Sequence, residues 1–334
     1  MKDGKPRVVV VTGASGGVGR AIVKRFAADG ARVALLARGS AGLAAAAREV
    51  EAAGGEALAI PTDVADAAQV EAAAERVEAE FGAIDIWINC AMATIFSPLI
   101  DISPEEFRRT TEVTYLGAVY GTMAAYRRMR ARNRGAIVQV SSALAYRSIP
   151  LQSAYCGAKS ALRGFTDSLR SELIHDKSHI HITMVNLTAF NTPQFLWGRT
   201  HLPRRAQPLA PIFQPEFAAR AIHWAALHRR RELWVGFPAY KAIIGQRLLP
   251  ALGDRILATE AWGGQMTDEA VAADRPDNLF APAAGDFGTH GPFDARASDG
   301  SVQLWLTTHR GAVATAGIAL FVAAIFAFAE RRRA

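Results

Sequence analysis

The stretch Thr12-Gly-Ala-Ser-Gly-Gly-Val-Gly19 follows a short apolar run at residues 7–12 and precedes a segment with helical spacing. In this TGxxxGxG pattern, Gly13 permits a tight turn after a strand, and Gly17 lets the backbone approach a pyrophosphate. Gly19 lets the following helix pack closely on a sheet. The amino terminus of that helix adds N–H groups and a positive dipole end, which favour phosphate. The stretch therefore predicts a strand, a phosphate-binding turn and a helix.

Short apolar runs alternate with longer helical patterns as far as residue 237. The runs occupy residues 7–12, 32–36, 56–60, 84–88, 135–140, 180–186 and 232–236. They are apolar throughout, as expected of strands that helices cover on both faces. These repeated units predict an α/β fold with a doubly wound, Rossmann-type parallel sheet of about seven strands. Ligands bind beyond the carboxyl ends of such strands.

Three polar residues near the end of the fifth apolar run point to acid–base chemistry. Ser142 ends the run, and Tyr155 and Lys159 lie four residues apart on one face of a predicted helix. A phenol titrates near pH ~10, so we expect the Lys159 ammonium to lower the Tyr155 pKa. Tyr155 would then exchange a proton with a carbonyl or alcohol oxygen that Ser142 holds. No CxxC or HExxH motif occurs, and no metal site is predicted.

Together these motifs resemble the short-chain dehydrogenase/reductase family over residues 7 to about 237. Asp63-Val64 resembles the family's adenine-contacting pair, and Asn89-Cys-Ala-Met92 stands where the family has Asn-Asn-Ala-Gly. The resemblance implies hydride transfer between a nicotinamide cofactor and a small alcohol or carbonyl substrate, with Lys159 also holding the nicotinamide ribose. The implied cofactor-binding residues are Gly13, Ser15, Gly17, Val18, Gly19, Arg38, Asp63, Val64, Asn89, Tyr155, Lys159 and Thr192.

Three positions depart from the family pattern. Thr114 stands where the family usually has a catalytic asparagine, so its hydroxyl is expected to hold a relay water less effectively. Met92 replaces a glycine near the expected cofactor, and Thr188-Ala189 stands roughly where the family has Pro-Gly. The expected catalytic residues are Ser142, Tyr155, Lys159 and Thr114.

The end of the second predicted strand bears on cofactor choice. Its sequence, Leu35-Leu36-Ala37-Arg38, lacks the carboxylate that would bind the ribose hydroxyls of NAD. The Arg38 guanidinium is suited to pairing with a 2′-phosphate. We therefore expect NADP to be preferred over NAD.

The predicted catalytic domain comprises residues 1–237. Within it, the proline-rich and aromatic segment 189–214 predicts a mobile flap over the pocket. After it, the strand and helix pattern ends. An amphipathic helix is expected at 238–260, and a poorly ordered Pro/Gly/Asp-rich linker at 261–308. A hydrophobic helix with a basic end is expected at 309–334.

Residues 311–329 carry no charge and are followed by Glu330-Arg-Arg-Arg333. As a helix they would extend about 28 Å, close to the ~30 Å hydrocarbon core of a bilayer. We predict that they anchor a cytoplasmic catalytic domain to a membrane, either by spanning it or by lying along it. A buried terminal helix is the alternative. Small residues at four-residue spacing are compatible with helix pairing, and hence with a homo-oligomer.

Composition narrows the choice of partners. The net charge is +7, but the arginine clusters lack interleaved aromatic residues or a known binding motif, so no nucleic-acid partner is expected. Cys90 and Cys156 fit buried thiols in a reducing compartment.

The expected function is a membrane-associated, NADP-dependent oxidoreductase with a bulky apolar substrate. The alternative is a catalytically quiet nucleotide-binding protein that serves as a membrane scaffold or redox sensor.

Overall fold

The computed structural model describes residues 6–272, 275–311, 313 and 315 of the 334-residue chain. The strands in this part are β1 Val8–Thr12, β2 Arg32–Ala37, β3 Glu56–Pro61, β4 Ile86–Asn89, β5 Ile95–Phe96, β6 Ala136–Ser142, β7 His181–Leu187, β8 Ala189–Phe190, β9 Arg199–Thr200, β10 Arg204–Ala206, β11 Ile212–Phe213, β12 Glu232–Trp234, β13 Met266–Ala270 and β14 Ala297–Ser298. The α-helices are α1 Gly17–Ala27, α2 Ser40–Ala52, α3 Ala67–Phe81, α4 Pro104–Thr111, α5 Gly117–Ala131, α6 Ser153–His175, α7 Gln194–Trp197, α8 Pro215–Leu227, α9 Phe237–Leu248, α10 Pro250–Gly264 and α11 Val302–Thr308. A π-helical turn, Glu112–Leu116, joins α4 to α5.

Seven strands form one parallel sheet in the order β3-β2-β1-β4-β6-β7-β12. The chain reverses its direction of travel across the sheet between β1 and β4, so the predicted doubly wound, Rossmann-type fold is confirmed. Each predicted apolar run coincides with one of these strands, with ends that differ by at most two residues.

The central strand β1 shows why the runs are apolar throughout. All five of its residues are buried. Val9 and Val11 belong to the core that includes the inner faces of α1, α2 and α8. Val8 and Val10 belong to the opposite core, with α3, α5 and α6. Because successive side chains point to opposite faces, covering both faces buries every residue of the strand.

The segment predicted to be a flap is paired with the segment predicted to be a linker. Within 189–214, β11 pairs in parallel with β8 and with β14, and β10 pairs antiparallel with β13. Residues 261–308 therefore differ from a poorly ordered linker wherever the structure describes them. They are held by short strand pairings and by hydrogen bonds to distant side chains. Because such interactions do not require a periodic apolar pattern, the sequence does not reveal them.

The predicted amphipathic helix at 238–260 is two helices, α9 and α10. Pro250 begins α10, since proline is accepted in a first helical turn but interrupts a helix interior. Of the apolar residues Ile243, Ile244, Leu248, Leu249 and Leu252, which the amphipathic pattern places on one side, Ile243 is buried. The others form what we call the apolar surface of α9–α10, together with residues nearby: Phe237, Ile244, Leu248, Leu249, Leu252, Ile256 and Trp262 are all exposed.

The predicted membrane segment 311–329 lies outside the described residues, apart from residues 311, 313 and 315. Among the helices that the structure does describe, none combines the length and apolar character needed to cross a bilayer.

Candidate active site

A cavity of about 470 Å³ lies at the carboxyl-end edge of the central sheet. Its lining includes Arg38 after β2, Gly13 after β1, Cys90 after β4 and Ser142 at the end of β6. These strands are neighbours in the sheet, so the cavity runs across the topological switch point between β1 and β4. This is where open parallel sheets bind ligands.

The glycine turn forms one wall of this cavity. Gly13 has a positive φ of 70°, and a Cβ there would lie 2.8 Å from Ala91 Cα, so the turn requires glycine. Gly17 also has a positive φ, and its added Cβ would lie 3.2 Å from Cβ of Thr192. Ser15, Val18, Gly19 and Thr192 line the cavity as well. Gly16, which precedes α1, has no side chain to cap the helix, and the Gly17 N–H donates to the Gly288 carbonyl at 3.1 Å. The N–H groups of Val18 and Gly19 in the first turn are left for a phosphate.

Ser142, Tyr155 and Lys159 converge on the same cavity from β6 and α6. The Ser142 hydroxyl is positioned by the backbone N–H of Leu144, which donates to it at 3.1 Å. Lys159 Nζ donates to the Val140 carbonyl at 2.8 Å and lies 5.6 Å from the centre of the Tyr155 ring. An ammonium has three N–H donors, so Lys159 keeps donors for a ligand. The arrangement supplies a proton donor, an oxygen-binding hydroxyl and a positive charge.

Burial is the largest influence on the pKa values of Tyr155 and Lys159. It raises the pKa of Tyr155, while the nearby Ser142 hydroxyl acts in the opposite direction. It lowers the pKa of Lys159 to about 8. The lowered Tyr155 pKa expected from the sequence is therefore wrong for the chain alone, because loss of water outweighs the effect of the Ser142 hydroxyl. Tyr155 is therefore protonated at neutral pH in the chain alone.

Thr114 holds a loop and does not face the cavity as a free hydroxyl. It is fully buried in the π-helical turn. Its hydroxyl donates to the Ala93 carbonyl at 2.8 Å and accepts from the Ala93 N–H at 2.9 Å. These two bonds occupy the group that was expected to hold a relay water. The geometry gives Thr114 a positioning role for the loop after β4.

Asn89 also differs from its expected role in cofactor binding. Its buried amide accepts from Trp87 Nε1 at 2.8 Å and donates to Thr122 and Gln139, each at 3.0 Å. Alternation along β4 places Trp87 and Asn89 on the face that packs against α5. Residues 90–92 line the cavity instead. Asn89 therefore stabilises the strand beneath the site.

Asp63 and Val64 line the end of the cavity near β2 and β3. The Asp63 carboxylate accepts from Arg109 Nη2 at 2.5 Å and from the Ala65 N–H at 3.0 Å. Sequence reasoning missed Arg109, since nothing in α4 distinguishes it from a surface arginine. Arg38 lies at this end too, and burial followed by the charge of Arg109 lowers its pKa.

The Arg38 guanidinium contacts the C-terminal extension. It donates to the carbonyls of Leu279 at 3.2 Å and Phe280 at 3.1 Å, and also to that of Asn278. Residues 275–291, which we call the strap, contribute further to the cavity wall through Pro282, Ala283, Gly285 and Phe287. The sequence predicted a linker here, so this part of the site was missed.

Comparison with known proteins agrees with the site. Residues 7–196, more than half of the chain, match the family model of the short chain dehydrogenases. An uncharacterized oxidoreductase of Bacillus subtilis, YxnA, is 31% identical over 280 residues, which cover 83% of this chain and 77% of that protein.

Comparison with solved structures points to the same family. A short-chain dehydrogenase from Streptomyces avermitilis superposes with a TM-score of 0.64 at 28% identity, over 77% of this chain and 98% of that one. An alcohol dehydrogenase from Thermococcus sibiricus, complexed with 5-hydroxy-NADP, superposes with a TM-score of 0.60 at 27% identity, over 69% and 96% of the two chains. The chain therefore belongs to the short-chain dehydrogenase/reductase family, and it is an oxidoreductase that acts with NAD(P) on CH–OH or C=O groups.

Proposed function

We propose that this enzyme transfers hydride between NADP(H) and an apolar alcohol or carbonyl compound. The observation that carries the proposal is the convergence of Ser142, Tyr155 and Lys159 on one cavity with the glycine turn. Tyr155 exchanges a proton with the substrate oxygen in either direction of hydride transfer.

The described residues fit a nicotinamide dinucleotide. The first turn of α1 offers the N–H groups of Val18 and Gly19 to a pyrophosphate, and Lys159 has donors to spare for ribose hydroxyls. A bound nicotinamide supplies the hydride chemistry. The chain's own residues do the rest: Ser142 holds the substrate oxygen, Tyr155 transfers the proton, and the charge of Lys159 stabilises a developing phenolate.

Positive charge at the adenosine end supports a preference for NADP. Arg38 lies there, and its guanidinium has five N–H donors, more than it uses in its three bonds to carbonyls. Titration of protein fluorescence with NADPH and NADH tests this. Arg38→Ala should weaken NADPH binding by about tenfold or more, the loss expected for one charge-assisted contact, and change NADH binding much less. Equal losses for the two nucleotides would contradict the preference.

The lining beyond Tyr155 supports an apolar substrate. Phe96, Leu144, Leu209, Pro211 and Leu257 contribute to it. The helices α9 and α10 also line this part through Ala242 and Leu257, and their apolar surface is exposed beside it. We infer that this surface contacts lipid and that the substrate comes from a membrane. Co-sedimentation with vesicles should fall when Leu248→Ser and Leu249→Ser are combined, and unchanged binding would remove the inference.

The decisive experiment uses the purified full-length chain, NADPH and a series of aldehydes and ketones of increasing chain length. Turnover should rise with chain length and be lost in Tyr155→Phe. The variant should still bind NADPH, because the phenol ring remains and Lys159 is untouched. Tight NADPH binding without turnover on any compound would instead favour the catalytically quiet nucleotide-binding protein.

A further inference from the structure

The strap, residues 275–291, is bonded to the side chains that surround the adenosine end of the cavity. Arg38 donates to the carbonyls of residues 278–280. Arg109 joins Asp63 to the strap, because its Nε donates to the Leu279 carbonyl at 3.2 Å while Nη2 holds the Asp63 carboxylate. The Leu279 side chain is completely buried in the core cluster that includes Val64. The strap is therefore fixed here by both polar and apolar contacts.

A second anchor lies at the phosphate-binding turn. Arg20, in α1, is only 3% exposed and pairs with Glu49 at 2.8 Å and with Asp286 of the strap. A buried guanidinium needs such partners, so Arg20 and Asp286 depend on each other. The N–H of Gly17, the first residue of α1, donates to the Gly288 carbonyl at 3.1 Å. The strap thus contacts the start of the helix that faces the phosphates.

The ends of the strap are attached to the segment that follows β7. Arg275 donates to the carbonyls of Gly198 at 2.7 Å and Phe195 at 3.1 Å. At the other end, the N–H of Gly291 donates to the Asn191 carbonyl at 3.2 Å. Both ends are held, so the middle of the strap can leave the cavity only by breaking its bonds to Arg38 and Arg109 at one place and to Arg20 and Gly17 at the other.

We propose that the strap is a wall of the cofactor site and that a nicotinamide adenine dinucleotide enters or leaves only when the strap opens. This rests on the proposed use of that cofactor. The anchors lie at the adenosine end and at the phosphate turn, which are the two places where the protein grips such a nucleotide. The strap therefore slows nucleotide exchange, which every turnover requires because the spent nucleotide must leave before a fresh one binds.

A disulfide across the edge of the strap tests the proposal. A Cβ at Gly39 would lie 3.6 Å from Pro282 Cβ, within the range that a disulfide spans. The double variant Gly39→Cys, Pro282→Cys is loaded with NADPH while reduced and then oxidised. Release is followed by the loss of NADPH fluorescence after mixing with excess NADP. The native thiols, Cys90 and Cys156, are buried and leave the new pair to react.

Release from the oxidised variant should be about tenfold slower or more, and reduction should restore the original rate. The two single cysteine variants, treated with the same oxidant, control for oxidation itself. A stapled protein that exchanges NADPH as fast when oxidised as when reduced overturns the proposal. A wild-type protein that binds no nicotinamide nucleotide overturns the proposed function as well, so the two failures are distinguishable.

A second variant moves the rate in the opposite direction. Asp286→Asn removes the charge that Arg20 needs and should speed NADPH release severalfold. The matched control is Asp299→Asn, which removes an exposed partner of Arg220 elsewhere in the extension. Equal release rates for Asp286→Asn and Asp299→Asn, with both proteins folded by circular dichroism, would also count against the strap.

Discussion

Replacing Lys159 with methionine should stabilise the nucleotide-free protein while it abolishes turnover. Burial lowers the Lys159 pKa from 10.5 to about 8, so the charged form is disfavoured in the folded chain. At about 1.4 kcal/mol for each tenfold change in proton affinity, the folded protein loses about 3 kcal/mol by keeping this ammonium at pH 7. The variant also loses the hydrogen bond to the Val140 carbonyl, which lowers its stability by about 1 kcal/mol. A net stabilisation of about 2 kcal/mol is therefore expected.

The sign of the pH dependence makes this prediction specific. Between the folded and unfolded pKa values of Lys159, the unfolded chain binds more protons, so the wild type gains stability as the pH rises from about 8 to 10.5. Lys159→Met lacks this dependence. Its net advantage should be complete at pH 7, where it is worth about 4–8 °C in Tm. It should vanish near pH ~9.5 and become a deficit of about 1 kcal/mol near the unfolded pKa, where only the lost bond to Val140 remains.

Thermal unfolding followed by circular dichroism at several pH values measures the effect. The matched control is Lys241→Met on α9, an exposed lysine, which should change stability by less than about 0.5 kcal/mol at any pH. A Lys159→Met protein that is less stable than wild type at pH 7 would refute the reasoning, as would a gain that does not change with pH.

Three further results are expected. The Kd for NADPH should be constant below about pH 7 and rise above pH ~8 as the Lys159 ammonium is lost; fluorescence titration that shows constant affinity up to pH ~9.5 would contradict this. Thr114→Val should cost about 1–3 kcal/mol in urea unfolding and Thr114→Ser much less, because only the hydroxyl bonds to Ala93 matter; similar losses would argue against a positioning role. Asn89→Leu should cost about 2–4 kcal/mol because it leaves Trp87 Nε1 and Gln139 Oε1 without their partner, and a loss below about 1 kcal/mol would show that the network relaxes.

The central sheet could be predicted from the sequence because each strand is short, apolar and buried on both faces. Val8–Thr12 is the clearest case, with every residue buried. Ser142, Tyr155 and Lys159 could be placed together because the carboxyl end of a strand and one face of the following helix meet at the same edge of the sheet. Local patterns were sufficient for these elements.

The outer part of the site could not be predicted in this way. Arg38 was read as a ligand for a phosphate, but its contacts in the structure are backbone carbonyls about 240 residues further along the chain. A stretch rich in proline and glycine looks like a linker because its stabilising bonds involve the main chain and distant arginines. Thr114 and Asn89 were placed by the family pattern, and only the structure shows which groups their side chains bind.

The hydrogen bonds from Arg38 to main-chain carbonyls have an evolutionary consequence. Every amino acid carries a carbonyl, so replacing Asn278 or Phe280 leaves those acceptors in place. Selection should then act on chain length between Asp277 and Asp286 more than on residue identity. Among descendants of this gene, insertions or deletions in this interval should be rarer than substitutions, even where the sequence identity of the interval is very low.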